Sequence, residues 1–225
     1  MTQNAMTPTV SRRSFIIGSG TLAAGGLALG LPAVFASEAN AQTVAASDSE
    51  VNVWVVIKPD DTCVIRIARS EMGQGTRTGL AQLVAEELEC DWKKVITESP
   101  TPGQSVTRKR VWGEFSTGGS RGIRTSEDYV RRGAAAARIM LLQAAANEWN
   151  VPVSELTVNK GVITHKSGKK TTYGKVANAA AKLTPPDPKS INLKKPSEWK
   201  VAGKPLARLD TADKVNGTKV FGVDL

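Results

Sequence analysis

Thr62-Cys63-Val64-Ile65-Arg66-Ile67-Ala68 leads through Glu71-Met72-Gly73-Gln74-Gly75 into a stretch where Leu80, Leu83, Val84, Ala85 and Leu88 recur every three to four residues. The first run is rich in β-branched residues and reads as a strand, and the last spacing is that of an amphipathic helix starting near Thr78 and ending around Cys90. A strand feeding a helix through a glycine-bearing turn points to an α/β (α+β) fold, expected here as a small mixed sheet with helices packed on one face. The turn lies where free backbone N–H groups and the positive end of the helix dipole converge, which suits an anion. Gly73 and Gly75 allow close backbone approach, and the Gln74 amide offers donors and an acceptor to a ligand edge. A plain glycine-rich turn with a solvated glutamine is the simpler reading of the motif taken alone.

Upstream, residues 51–57 form another β-branched run, separated from the first by Lys58-Pro59-Asp60-Asp61, and the two read as a hairpin. Downstream, residues 94–98 read as a strand. Residues 99–113 carry Arg108, Lys109 and Arg110 without periodicity and read as a long surface loop. A long helix with a small-residue face is expected over about 122–149, ending at Asn150-Val151-Pro152. Asn159-Lys160-Gly161 marks a tight hairpin, and Thr171 or Thr172 is placed to cap a short helix running to Leu183. Immediately before the long helix, Phe115-Ser116-Thr117-Gly118-Gly119-Ser120-Arg121 repeats the logic of the first turn with hydroxyls and glycines. Two such turns suggest one extended phosphorylated ligand, although Ser116 or Ser120 can also be a simple helix cap.

The chain has 225 residues with a formal charge of +9, two cysteines and one histidine. That composition suits one globular domain with linkers and leaves no four-ligand zinc site, disulfide framework or histidine-based metal centre. Ser11-Arg12-Arg13-Ser14-Phe15-Ile16 precedes a weakly apolar, glycine-diluted stretch and resembles a twin-arginine export signal, with Ala39-Asn40-Ala41 as the cleavage pattern. An uncleaved anchor is the alternative. Loss of residues 1–41 leaves 28 basic against 20 acidic residues, a charge of +8. The basic clusters lie in loops without interleaved aromatic residues, and with the export signal this argues against a nucleic acid partner.

The expected organisation is a signal peptide over 1–41, a leader over 42–50, a binding unit over 51–183 and an extended Pro-rich linker over 184–218. A strand begun over 219–225 would open a following domain, so the chain is expected to be truncated or split. Cys63 and Cys90 read as two buried free thiols, and His165 as a solvated hairpin residue. Trp112, in the long loop before the second turn, is the tryptophan expected nearest a ligand.

Glu71-Met72-Gly73-Gln74-Gly75, Thr117-Gly118-Gly119-Ser120-Arg121, Pro205-Leu206-Ala207-Arg208-Leu209-Asp210 and Lys214-Val215-Asn216-Gly217, in that order, resemble the molybdopterin-binding large subunit of the xanthine dehydrogenase and aldehyde oxidase family. The likeness is to its exported branch, that of isoquinoline 1-oxidoreductase beta subunits and membrane-associated bacterial aldehyde dehydrogenases. The resemblance implies a periplasmic molybdenum hydroxylase or aldehyde dehydrogenase that takes its oxygen from water. It implies cofactor contacts at Gly73, Gln74, Gly75, Thr117, Gly118, Gly119 and Ser120. The cofactor implied is molybdopterin with molybdenum, in its cytosine dinucleotide form. Implied partners are the remaining C-terminal part of the large subunit, an iron–sulfur small subunit and a cytochrome c subunit. The family's glutamate base belongs to a segment with no match here, so no catalytic residue is assigned and the chain alone is expected to be inactive. A secreted binding or assembly module that has lost redox chemistry is the competing reading.

Overall fold

A computed structural model describes residues 48–224; the export signal expected over 1–41 and most of the leader lie outside the described residues. The element order is β1 (Ser49–Asn52), β2 (Val55–Ile57), β3 (Cys63–Arg66), α1 (Thr76–Leu88), β4 (Val95–Glu98), α2 (Pro102–Thr107), α3 (Arg121–Arg124) and α4 (Glu127–Trp149). β5 (Leu156–Asn159), β6 (Val162–His165), β7 (Lys170–Thr172), α5 (Tyr173–Ala180) and α6 (Thr211–Val215) follow. The α/β class holds, but the strands form two sheets rather than one. The first is mixed, in the order β1-β2-β3-β4, with β3 and β4 parallel and joined by α1; the second is the antiparallel β5-β6-β7 meander.

β3 and β4 can lie parallel only because α1 carries the chain back along the sheet, the usual geometry of a βαβ crossover. Val55, Ile57, Cys63 and Ile65 point from this sheet into a core shared with Leu80, Val84 and Leu88 of α1 and Ala134, Ala137 and Leu141 of α4. The opposite face is covered too, since Val56, Val64 and Arg66 are also buried. There the Trp112 indole, 3% exposed, lies beneath the guanidinium groups of Arg108 and Arg66, 4.9 and 5.7 Å from the ring centroid. Its N–H donates to the Val53 carbonyl at 2.7 Å. Trp112 therefore latches the loop to the sheet by cation–π contact and is not free to meet a ligand.

Other departures have local causes. The 51–57 run is cut because the Asn52 side-chain carbonyl accepts from the Trp54 and Val55 amides, which bends the chain into β2 and places a second hairpin inside one apolar run. The expected loop over 99–113 contains α2, started by a reciprocal capping box between Thr101 and Gln104 with Pro102 in the first turn. The long helix breaks at Thr125-Ser126 into α3 and α4. Thr172 stands at the N-cap of α5, but its side chain makes no capping bond. His165 is buried, hydrogen-bonded through its ring nitrogens to Glu155 and Ser167 at 2.7 Å each, instead of being solvated. Residues 219–221 form no strand; a 3₁₀ turn follows at Gly222–Asp224, with Val220, Phe221 and Val223 exposed. Both cysteines are free and buried. The Cys90 thiol lies against Cys63, and that contact together with burial raises the Cys63 thiol well above its ordinary value.

Residues 184–218 do not hang free. Ile191, Ala202 and Asp210 are buried, and adjacent acids near the end of α1 hold the segment down. Glu86 Oε2 accepts from the amides of Lys200, Val201 and Ala202 at 2.7, 2.6 and 3.2 Å, and Lys194 Nζ reaches Oε1 at 3.1 Å. Burial pushes the Glu86 carboxyl up, but these donors outweigh it and leave it below the usual glutamate value. Glu87, 0% exposed, takes two guanidinium hydrogen bonds from Arg131 of α4 and one from the Lys194 amide. Among the described residues no helix is long and apolar enough to cross a membrane.

Candidate functional site

Residues 70–75 carry the chain from β3 to α1. Gly73 and Gly75 have φ of 98° and 86°, a backbone region closed to most side chains, and Gly75 is the N-cap of α1. The turn does hold an anion, and the anion is its own. Glu71 Oε1 accepts from the amides of Gly73 and Gly75 at 2.7 and 2.9 Å, and Oε2 accepts from the Arg77 amide at 3.0 Å. Burial pushes this carboxyl up; the N–H groups of Gly75, Arg77 and Gly73 outweigh it and hold it below the usual glutamate value. Gln74 folds back over the same turn, donating to the Ser70 carbonyl at 2.9 Å and accepting from the Met72 amide at 2.5 Å. Part of the amide expected to face a ligand is thus spent on shaping the turn. Its second N–H stays at an exposed position.

The second turn lies directly against the first. The Ser70 amide donates to Thr117 Oγ1 at 2.9 Å. Beneath both, the buried Arg69 guanidinium donates to Ser126 Oγ at 2.9 Å, to Thr125 Oγ1 at 3.1 Å and to the Ser116 carbonyl. Those bonds occupy the hydroxyls of the residues where the expected long helix breaks. α3 approaches α1 so closely that a Cβ on Gly122 would sit 2.7 Å from Thr76 Oγ1. The two turns are therefore joined along one edge of the molecule.

Thr117 is half-buried, whereas Gly118, Gly119 and Ser120 are exposed. Ser120 occupies the N-cap position of α3 but has φ of 56° and makes no capping bond, so the simple-cap reading fails and its hydroxyl remains available. A left-handed serine costs about 1 kcal/mol relative to ordinary backbone, a cost that glycine would avoid. Arg121 donates to Ser116 Oγ at 2.8 Å and to the Gly118 carbonyl at 3.3 Å, and Arg124 donates to the Gly119 carbonyl at 3.3 Å. Both guanidiniums hold the turn in shape and give it a positive field.

Sequence reasoning missed three contributors. Glu71 carries no signal beyond its place in the motif, yet it fills the donor nest. Arg69 gives no periodic or motif signal, and its role appears only once α3 and α4 are in place. Arg208 lies far along the chain, in the Pro205–Asp210 stretch, and reaches the first turn with its Nη1 on the Gly73 carbonyl at 2.9 Å.

Two adjoining loop-to-helix turns, offering amides, hydroxyls and guanidinium charge along one edge, make a binding unit suited to an elongated anionic cofactor. The chain belongs to the molybdopterin cofactor-binding domain family, whose model matches residues 21–224. It is 29% identical to the isoquinoline 1-oxidoreductase subunit beta of Brevundimonas diminuta, over 97% of this chain and 32% of that protein. It is also 29% identical to the membrane-bound aldehyde dehydrogenase [pyrroloquinoline-quinone] of Gluconacetobacter polyoxogenes, over 96% of this chain and 28% of that protein. The chain thus spans about a third of the length of these two relatives. Among solved structures, reconstituted CO dehydrogenase from Oligotropha carboxidovorans aligns over 56% of this chain and 15% of its own, with 25% identity and a TM-score of 0.42. The family resemblance read from the four motifs is borne out.

Proposed function

We propose that this chain is the N-terminal molybdopterin-contacting portion of the large subunit of an exported molybdenum hydroxylase or aldehyde dehydrogenase. Its substrate is an aldehyde or an N-heteroaromatic, oxidised with oxygen from water. Family membership and the names of the two oxidoreductase relatives support the class. The Ser70–Thr117 hydrogen bond carries the site, because it makes one continuous edge of two turns 47 residues apart. When bound, molybdopterin carrying molybdenum, in its cytosine dinucleotide form, would supply the redox chemistry at the substrate carbon.

The residues present fit such a group. The amides of the first turn are filled by Glu71, so the charged end of such a group falls to the second turn, where the Ser120 hydroxyl makes no capping bond. In this reading the rim at Gly73, Gln74 and Gly75 faces the pterin, and Thr117, Gly118, Gly119 and Ser120 hold the phosphate or nucleotide end. Arg121 and Arg124 lend charge there. The remaining C-terminal part of the large subunit completes the cradle and supplies the proton-accepting glutamate, so this chain alone is inactive. An iron–sulfur small subunit and a cytochrome c subunit carry electrons away. The location is periplasmic, an assignment that rests on Arg12 and Arg13 and that cell fractionation checks.

The test uses the complete complex. Gln74→Ala should mainly lower turnover, and Ser120→Ala should mainly lower cofactor content. A hydrogen bond to a charged group contributes about 1.5–3 kcal/mol, so each loss should be roughly tenfold or more. Molybdenum analysis and oxidation assays read the two effects separately. Full content with unchanged turnover in both variants would remove the site assignment. A wild-type complex without molybdenum would remove the function.

A further inference from the structure

The stretch over 205–210 is tied to the first turn by one side chain. Arg208 donates through Nη1 to the Gly73 carbonyl at 2.9 Å and through Nη2 to Glu71 Oε1 at 3.2 Å. Its own direction is fixed by Asp210, which accepts from Nε and Nη2 at 3.0 Å each. The Asp210 side chain is 2% exposed and is also paired with Lys214 of α6. The neighbouring Leu209 amide donates to Thr78 Oγ1 at 3.1 Å, so the backbone on which Arg208 sits is pinned to the first turn of α1. A planar guanidinium gripped on two sides presents its remaining donors in one fixed direction, which a lysine cannot do.

The Gly73 carbonyl matters because the residue is in a left-handed conformation, where rotation of the flanking peptides meets little steric resistance. Glu71 fixes the amide side of the turn, and Arg208 fixes its carbonyl side while neutralising Glu71. We propose that Arg208 is the positioning residue of the glycine turn, holding the Gly73 carbonyl and the Glu71 carboxylate together so that Gln74 is presented in one conformation to the cofactor. The cofactor half of this statement rests on the proposed function; the positioning half rests on the contacts of Arg208. The turn is then set by residues more than 130 positions downstream, which would explain why a connector is folded back across α1.

The experiment compares wild-type complex with Arg208→Met, which keeps the bulk and loses the fork, and Arg208→Lys, which keeps the charge alone. Hydrogen exchange followed by mass spectrometry reads the amides of Gly73, Gly75 and Arg77, oxidation assays read turnover, and fluorescence of the released, oxidised pterin reads cofactor content. Arg208→Met should speed exchange at these amides about tenfold, discounted from two charge-assisted bonds because Arg208 is partly exposed, with Arg208→Lys in between. Exchange at Lys200, Val201 and Ala202, held by Glu86, should stay unchanged, because a local positioning role does not loosen a distant contact. Turnover should fall as the exchange rate rises, with pterin content largely kept. Turn exchange within about twofold of wild type would overturn the proposal. So would equal acceleration at residues 200–202, which would make Arg208 a general stabiliser. Faster turn exchange with unchanged turnover would uphold the positioning and count against the cofactor role of the turn instead. If Arg208→Met fails to assemble, Asp210→Asn, which releases Arg208 without removing it, carries the same readings.

Discussion

Glu87→Ala should destabilise the chain by about 3–5 kcal/mol, the usual result of removing one partner from a buried ion pair. The carboxylate is 0% exposed and meets Arg131, whose side chain is itself only 12% exposed. Truncation leaves that guanidinium with the Lys194 carbonyl at 2.6 Å and the Trp199 ring 5.3 Å away, but with no counter-charge. It also leaves the Lys194 amide without its acceptor. Urea denaturation followed by far-UV circular dichroism measures the loss. Glu87→Leu combined with Arg131→Met should recover much of it, since a buried pair replaced by apolar groups is often no worse than the pair. A loss under about 1 kcal/mol for Glu87→Ala would mean that water reaches Arg131 and that the connector is not packed as described.

The second large effect is expected at Gly174, in the first turn of α5. An added Cβ would lie 2.6 Å from the Pro59 carbonyl oxygen and 2.8 Å from that of Lys58. Both belong to backbone, held in the β2–β3 turn by bonds between Lys58 and Thr62 and between Asp61 and Lys58. Neither can move without deforming the hairpin. Gly174→Ala must therefore push α5 away and stretch the 2.8 Å bond from the Gly174 amide to Asp61. Overpacking of this kind costs about 1–3 kcal/mol, and the lost hydrogen bond adds about 1 kcal/mol. Gly103→Ala, whose Cβ would come no closer than 3.9 Å to Thr101, serves as the control and should be neutral or slightly stabilising. Equal midpoints in thermal denaturation for the two variants would contradict the close approach of α5 to the hairpin.

Local signals fixed most of the central elements. The turn before α1, the β5–β6 hairpin and the end of α4 at Asn150, left-handed with φ of 52°, were readable because glycine, asparagine and hydrophobic spacing act over a few residues. α2 was readable in principle from Thr101, Pro102 and Gln104, a capping box obscured by the surrounding glycines and prolines. The break between α3 and α4 was not readable, because its hydroxyls are held by Arg69 from the distant segment between β3 and α1. The docking of residues 188–210 was equally hidden: Glu86 and Glu87 interrupt an amphipathic pattern as if they faced solvent, and only the returning chain makes them interior. The same limit applies to the site. Glycine and hydroxyl positions could be named in advance, but their mutual contact through Ser70 and Thr117, the filling of the nest by Glu71 and the reach of Arg208 are all consequences of tertiary packing.

The carboxylates of Glu86 and Glu87 have one further consequence, for the time course of synthesis. A ribosome delivers α1 more than a hundred residues before it delivers the amides of residues 194–202 that Glu86 and Glu87 accept from. Until then Glu86 lacks its donors and stays hydrated, because an unpaired charge is costly to bury, whereas Glu87 already meets Arg131 once α4 has formed. The nascent polypeptide can form its hairpins and pair α1 with α4 early, since those contacts close shorter loops, but the face of α1 bearing Glu86 has to wait. Docking of the last segment is therefore expected to complete the packing of α1 during synthesis. Ribosome-bound chains stalled after residue 183 should show protease-sensitive cleavage within α1, and chains stalled well beyond residue 210 should not.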